Sequence, residues 1–285
     1  MFRDEHIDSP LTGAAEMPAT ALRLDPKHPG INDPAYIERR TSFFNLARRA
    51  RLGGEEMPDD RYTPEEDAVW KVIFRRLEEV HQRRACGLYL EGRRRLGFVA
   101  DQLPNLRELS RKLFAWNGLR LVPAEGLIDF REFFSHLADR EMPCTQYLRH
   151  GSHPEYTPEP DVIHDVIGHV PALMNPEYVS LIQIIGRAAR RAMPDQLVML
   201  NRIYWFGIEF GLIEEGGDIK AFGAGLFSSF GELEHAFSPD VRRLPFVMQE
   251  VIEHDYDPTS MQPVLYVIPS LAGLIDATRE LTDRF

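Results

Sequence analysis

TPEEDAVWKVIFRRLEEVHQRRACGLYLEGRRR, residues 63–95, decides the fold class. Thr63 and Glu66 have the spacing of a capping box, in which each residue satisfies an N–H group left open at a helix start. The apolar residues that follow recur at helical spacing, with the basic residues mainly off that stripe, so the pattern predicts one long amphipathic helix. Upstream, Asp33-Pro34 is a cap followed by proline at the first helical position; it opens AYIERRTSFFNLARRARL, and Gly53-Gly54 stops it. Downstream, helices are predicted over 104–116, 129–140, 160–169, 176–191, 195–212 and 239–254. Strand signals are few and short: LRLVP at 119–123, IKAF at 219–222 and PVLYVI at 263–268. No repeat or composition break divides residues 25–275. The expected architecture is one mainly α domain with a few short β-strands.

At 285 residues, 44% apolar and 27% charged, the chain is long enough for one large domain with a deep core. Its net charge of −11 opposes nucleic-acid binding or attachment to an anionic membrane, and points to a small-molecule ligand. Arginines cluster at 93–95 and 187–191, and read as solvated helix faces. Cys86 and Cys144 form no C-x-x-C pair, which suggests a reduced compartment. The N-terminus lacks the apolar core of a signal peptide and no apolar run is long enough to span a membrane, so a cytoplasmic protein is expected. Residues 1–21, without periodicity, read as a flexible arm.

HDVIGH, residues 164–169, places two histidines five apart. In an α-helix that spacing sets the rings roughly 140° apart, unlike the four-residue spacing that stacks them on one face. A helix that unwinds at Gly168 before Pro171 would turn His169 back toward His164. IYWFGIEFGLI, residues 203–213, is apolar and aromatic except for Glu209. A lone carboxylate there is costly to bury unless a cation or strong donors compensate it. A divalent metal held by His164, His169 and Glu209 would do so, leaving three octahedral positions open; the alternative pairs Glu209 with Arg149 or Arg202. Such ligands suit zinc hydrolases and non-haem iron oxygenases alike. The surrounding Tyr204, Trp205, Phe206, Phe210, Phe133 and Phe134 favour the iron oxygenase, which needs a dry aromatic pocket.

CTQYLRHGSHPEYTPEPDVIHDVIGHVP, IYWFGIEFGL and AFGAGLFSSFGELEHAF resemble the pterin-dependent aromatic amino acid hydroxylases, as do LDPKHPGINDPAYIERR and QPVLYVIPS. The resemblance covers about residues 22–270 and implies a mainly helical aromatic amino acid hydroxylase catalytic domain using Fe(II), a tetrahydropterin and dioxygen. Catalytic boundaries of 22–275 are expected, with 276–285 a short tail. By resemblance, His164, His169 and Glu209 are the iron ligands. Arg149 corresponds to the grip on the substrate carboxylate and Asp161 to its support, a structural salt bridge being the alternative. Thr157, Pro160, Trp205, Phe210 and Ser228 fall on substrate-pocket positions, with core packing the alternative for Trp205. The pterin would stack on Phe133, with the backbone of Gly126, Leu127 and Ile128 reading its polar edge, and Asp165 and Tyr204 nearby. Tyr36 matches a mobile-loop tyrosine that covers the site in relatives, though its own position reads as an ordinary first-turn helix residue.

Three residues depart from the animal enzymes: Asp165 replaces glutamate, as in bacterial members, Phe130 a small polar residue, and Pro143 a polar side chain. They bear on pterin affinity and coupling more than on the reaction. The resemblance starts near residue 22 and the chain ends at LIDATRELTDRF, so neither a regulatory domain nor a tetramerisation helix is expected, and a monomer is. Trp205 after Tyr204, with RHGS and YTPEPD, looks most like family members acting on phenylalanine. Conversion of L-phenylalanine to L-tyrosine is therefore expected, with tryptophan or tyrosine hydroxylation as alternatives. A zinc-dependent hydrolase using the same ligands and a non-catalytic helical binding module are the readings from other classes.

Overall fold

Side-chain caps set many of the helix starts. Asp33 accepts from the N–H groups of Ala35 and Tyr36 and starts α1 (Pro34–Gly53), while Thr63 and Glu66 close the capping box of α2 (Pro64–Arg84). The computed structural model describes residues 24, 26, 28–58, 62–126, 128–154, 157 and 159–285; the arm expected at 1–21 and Leu127 lie outside them. The remaining α-helices are α3 (Gly87–Leu96), α4 (Leu106–Asn117), α5 (Phe130–Ala138), α6 (Val170–Leu173), α7 (Pro176–Arg191), α8 (Pro194–Ile203), α9 (Ala224–Ser228), α10 (Phe230–Ala236), α11 (Met248–Glu253) and α12 (Leu271–Thr282). Two π-helices, π1 (His164–His169) and π2 (Tyr204–Glu209), interrupt this series.

The short strands form two sheets. β1 (Arg120–Pro123) pairs in parallel with β2 (Glu141–Cys144). The second sheet has the order β4-β3-β6-β5, from β3 (Leu212–Glu215), β4 (Asp218–Ala221), β5 (Arg242–Pro245) and β6 (Val264–Ile268). Only the β3–β4 pair is antiparallel.

The single helix expected over 63–95 is two. α2 stops at Arg84 because Ala85 turns extended, bridges Ala221, and hands the N–H of Cys86 to the Ala221 carbonyl at 3.1 Å. The Gly87 N–H, open at the start of α3, is taken by Glu215. The helix expected over 239–254 is also wrong in its first half, where Pro245 would break a helix interior; residues 242–245 are instead edge strand β5. The helix expected to reach Leu212 ends at Glu209, and Leu212 begins β3. Residue 275, expected to close the domain, lies inside α12, which packs on α7.

One contiguous apolar core links these elements, with Trp70, Tyr89, Phe134, Tyr178 and Phe227 among its largest members. Close backbone approaches shape it. A Cβ on Gly186 of α7 would stand 2.4 Å from the Ala138 nitrogen of α5, and one on Gly92 of α3 would stand 1.9 Å from the Pro171 carbonyl of α6. The second crossing braces α6, which directly follows the segment that carries the two histidines. Cys86 and Cys144 are buried and free, and no described helix is long and apolar enough to cross a membrane.

Candidate active site

The five-residue histidine spacing is resolved by helix type. His164–His169 is π-helical, and a π turn makes residues i and i+5 hydrogen-bonded neighbours, so the two rings fall on one side. The ring centroids are 4.9 Å apart and the Nε2 atoms 3.2 Å apart. The expected unwinding at Gly168 does not occur; the helix runs on into α6. Gly168 serves close packing instead, since a Cβ there would stand 2.6 Å from the Ala224 carbonyl of α9. Pro171 has no N–H to give the Ile167 carbonyl four residues back, and the Tyr89 hydroxyl takes that acceptor at 2.7 Å. Glu209 ends the second π-helix, whose next residue Phe210 leaves the helical region.

These elements bring the three expected ligands together. Glu209 Oε1 is 3.1 Å from His169 Nε2, Glu209 Oε2 is 3.5 Å from His164 Nε2, and all three donors lie within 4.8 Å of one another. Cis donors held at roughly 2.1 Å by one octahedral ion stand about 3 Å apart, so the separations fit a shared metal. Two imidazoles and one carboxylate are also the donor set of non-haem ferrous sites. Neither alternative partner is used: Arg149 pairs with Asp161 and Arg202 with Asp255.

The electrostatics agree. Burial alone would raise the Glu209 carboxyl, but the His169 and His164 imidazoles outweigh it and hold the group down at about 2. Burial pushes His164 down to about 4, whereas for His169 the Glu209 charge and hydrogen bond overcome burial and raise it. His164 Nδ1 lies 3.0 Å from Ser228 Oγ, which itself donates to the Gly225 carbonyl; with Nε2 facing a metal, Nδ1–H donates to that serine.

The triad opens into a cavity of about 390 Å³. Arg149, Thr157, Pro160, Trp205, Phe210 and Ser228 line it, as do Gly126, Ile128, Phe133 and Asp165. Asp161 is fully buried behind Arg149: its carboxylate accepts from Arg149 Nε and Nη2 at 2.9 and 2.8 Å, and from the N–H groups of Arg149 and His164. That geometry leaves the Nη1 edge of the guanidinium with one 3.3 Å contact, to the Pro154 carbonyl. Trp205 is both core and wall. Its ring stacks on Tyr256 at 4.1 Å and its Nε1–H donates to Gln262, while it also borders the cavity beside Phe210. Burial pushes Asp165 up to about 6, and its Oδ2 accepts from the Thr145 N–H and hydroxyl. Phe130 stacks on Phe134 at 6.3 Å and Pro143 lines the cavity.

Two expected positions lie off the cavity wall. Tyr36 does not line the cavity. It sits in the capped first turn of α1, stacked on His28, with its hydroxyl on the Leu148 carbonyl at 3.0 Å. Tyr204 lies behind the wall, edge-on to Phe133 at 5.4 Å and stacked on His169 at 6.4 Å. Sequence reasoning missed the mouth at 258–261, and also Glu232, another lining residue. The run DYDPTSMQP held the mouth in plain sight as turn formers, and Glu232 stands in the quoted stretch GELEHAF.

A profile of the biopterin-dependent aromatic amino acid hydroxylase family matches residues 11–285, more than the 22–270 expected. The phenylalanine-4-hydroxylase of Rattus norvegicus is 40% identical over 260 residues, 90% of this chain and 57% of that protein. The chain thus spans somewhat over half the length of such curated relatives. A cold-active phenylalanine hydroxylase from Colwellia psychrerythraea, in its apo form, superposes with a TM-score of 0.74 at 32% identity, covering 80% of this chain and 92% of that one. The phenylalanine hydroxylase of Chromobacterium violaceum, bound to iron(III) and oxidised 7,8-dihydrobiopterin, gives 0.74 at 34% identity, covering 83% and 90%.

Proposed function

Since this chain belongs to the biopterin-dependent aromatic amino acid hydroxylase family, we propose that it converts L-phenylalanine to L-tyrosine with Fe(II), a tetrahydropterin and dioxygen. The observation that carries the reading is the convergence of His164, His169 and Glu209 on one point of an aromatic-walled cavity that also holds the Arg149–Asp161 pair. His164, His169 and Glu209 would hold the iron, which would let dioxygen act as the oxidant and the tetrahydropterin as the two-electron donor, one oxygen atom going to the ring and the other leaving with the oxidised pterin or as water.

The chain's own residues bind, orient and exclude water. Ser228 fixes the His164 tautomer so that Nε2 faces the metal. Asp161 holds Arg149 so that the Nη1 edge meets the substrate carboxylate, with Thr157 beside it. Trp205, Phe210 and Pro160 enclose the substrate ring. Phe133 offers a face to the pterin; the backbone of Gly126 and Ile128 reads its polar edge, and Asp165 accepts from its N–H groups directly or through water. Tyr204 supports Phe133 and His169 from behind. A cytoplasmic location and a monomeric state complete the reading, checked by cell fractionation and by sedimentation.

The test is oxygen uptake and product mass with ferrous iron, tetrahydrobiopterin and each of phenylalanine, tyrosine and tryptophan. Phenylalanine should gain one oxygen atom in an iron- and pterin-dependent manner. Turnover with zinc alone, or no oxygenated amino acid, refutes it.

A further inference from the structure

A free amino acid carries two charges into the pocket, and the Arg149 guanidinium answers only the carboxylate. Four carboxyl side chains line the cavity: Glu159, Asp165, Glu209 and Glu232. Three are engaged. Glu159 pairs with Arg40, Asp165 accepts two hydrogen bonds from Thr145, and Glu209 faces the two histidines. Glu232 has no hydrogen bond or ion pair to its carboxyl among the described residues.

Its placement is fixed all the same. Ser229 caps α10 by accepting from the Glu232 N–H at 3.2 Å, and Glu232 stands at the position from which a capping-box glutamate reaches back to the cap's own N–H. That return bond is not made, and the side chain borders the cavity instead. A half-buried carboxylate without a cation is unfavourable, and burial pushes this one up to about 7. An ammonium group taken from water needs the converse, a charged acceptor.

We infer that Glu232 receives the α-ammonium group of the amino acid, making it a specificity residue that separates free amino acids from ring-bearing acids lacking the amine. The inference rests on the amino acid hydroxylase reading. Its test is calorimetric binding of L-phenylalanine and of 3-phenylpropanoate, the same molecule without the amine, to iron-loaded wild type and Glu232→Gln, with hydroxylation assayed in parallel. Wild type should favour phenylalanine by at least roughly tenfold, and Glu232→Gln should erase that preference by weakening phenylalanine alone. Glu232→Asp, which keeps the charge, should retain part of it at an unchanged melting temperature. Selective binding without hydroxylation would sink the proposed reaction and leave this site standing. Lack of preference in the wild type, its survival in Glu232→Gln, or equal loss of both ligands overturns the inference.

Discussion

Glu209 shows what one buried charge obliges its neighbours to do. At 5% exposure it remains ionised because two imidazoles face it, and its charge in turn strengthens the hold of His169 on a proton. A metal must displace that proton. Metal affinity should therefore rise with pH until His169 has titrated, and fall as acid returns the proton; titration of the apoprotein with Co(II) at several pH values checks the sign. Glu209→Gln keeps the shape but removes the charge, and should weaken metal retention by on the order of a hundredfold or more, read by dialysis and metal analysis, with the helical circular dichroism intact. At Arg149 the planar fork matters: Asp161 takes Nε and Nη2, leaving the outer edge for a ligand. Lysine offers one point charge for both tasks, so Arg149→Lys should raise the KM for the amino acid by roughly tenfold or more; an unchanged KM would remove Arg149 from substrate binding.

The elements explain which of these features could be read in advance. The ligands were legible because a glutamate amid IYWF–GL contradicts its surroundings, and that contradiction is visible in sequence alone. The π-helices were not, because hydrophobic periodicity assumes the α turn and π1 owes its stability to contacts made elsewhere: the Gly168–Ala224 approach and the Tyr89 hydroxyl. The break at Ala85 likewise depends on Ala221, which no local pattern announces. Behind π1, His81 of α2 donates through Nε2 to the Phe227 carbonyl, while Nδ1 lies 3.0 Å from Arg93 Nη1. Burial, then the Arg93 charge, lowers His81 to about 3. The unfolded chain takes up this proton near 6.5 and the native state refuses it, so this group's effect is absent at neutral pH and destabilises as pH falls. In chelator-treated protein, wild type should lose about 2 kcal/mol relative to His81→Gln between pH 7.5 and 5.0, measured by denaturant unfolding. A parallel pH dependence in the two proteins would contradict a neutral, buried His81.

Across the whole molecule, the site lies where distant parts of the chain meet: π1 and π2 are separated by α6, α7 and α8, and the cavity wall closes with α9, α10 and the loop at 258–261. A metal bound there joins elements far apart in sequence within one continuous core, so local opening at the site must disturb the packing around it. Binding should therefore appear as global stability. At metal concentrations 1,000 times the dissociation constant, mass action adds about 4 kcal/mol to the native state. With an unfolding entropy of about 2.1 cal/mol/K per residue, a chain this long should melt about 7 °C higher, in one transition rather than two. Scanning calorimetry of chelated and metal-loaded protein tests this, with Glu209→Gln as the control that should show no shift. A wild-type rise that persists in Glu209→Gln would locate the stabilising ion away from the two π-helices, while a separate low-temperature transition would show that the cavity unfolds apart from the core.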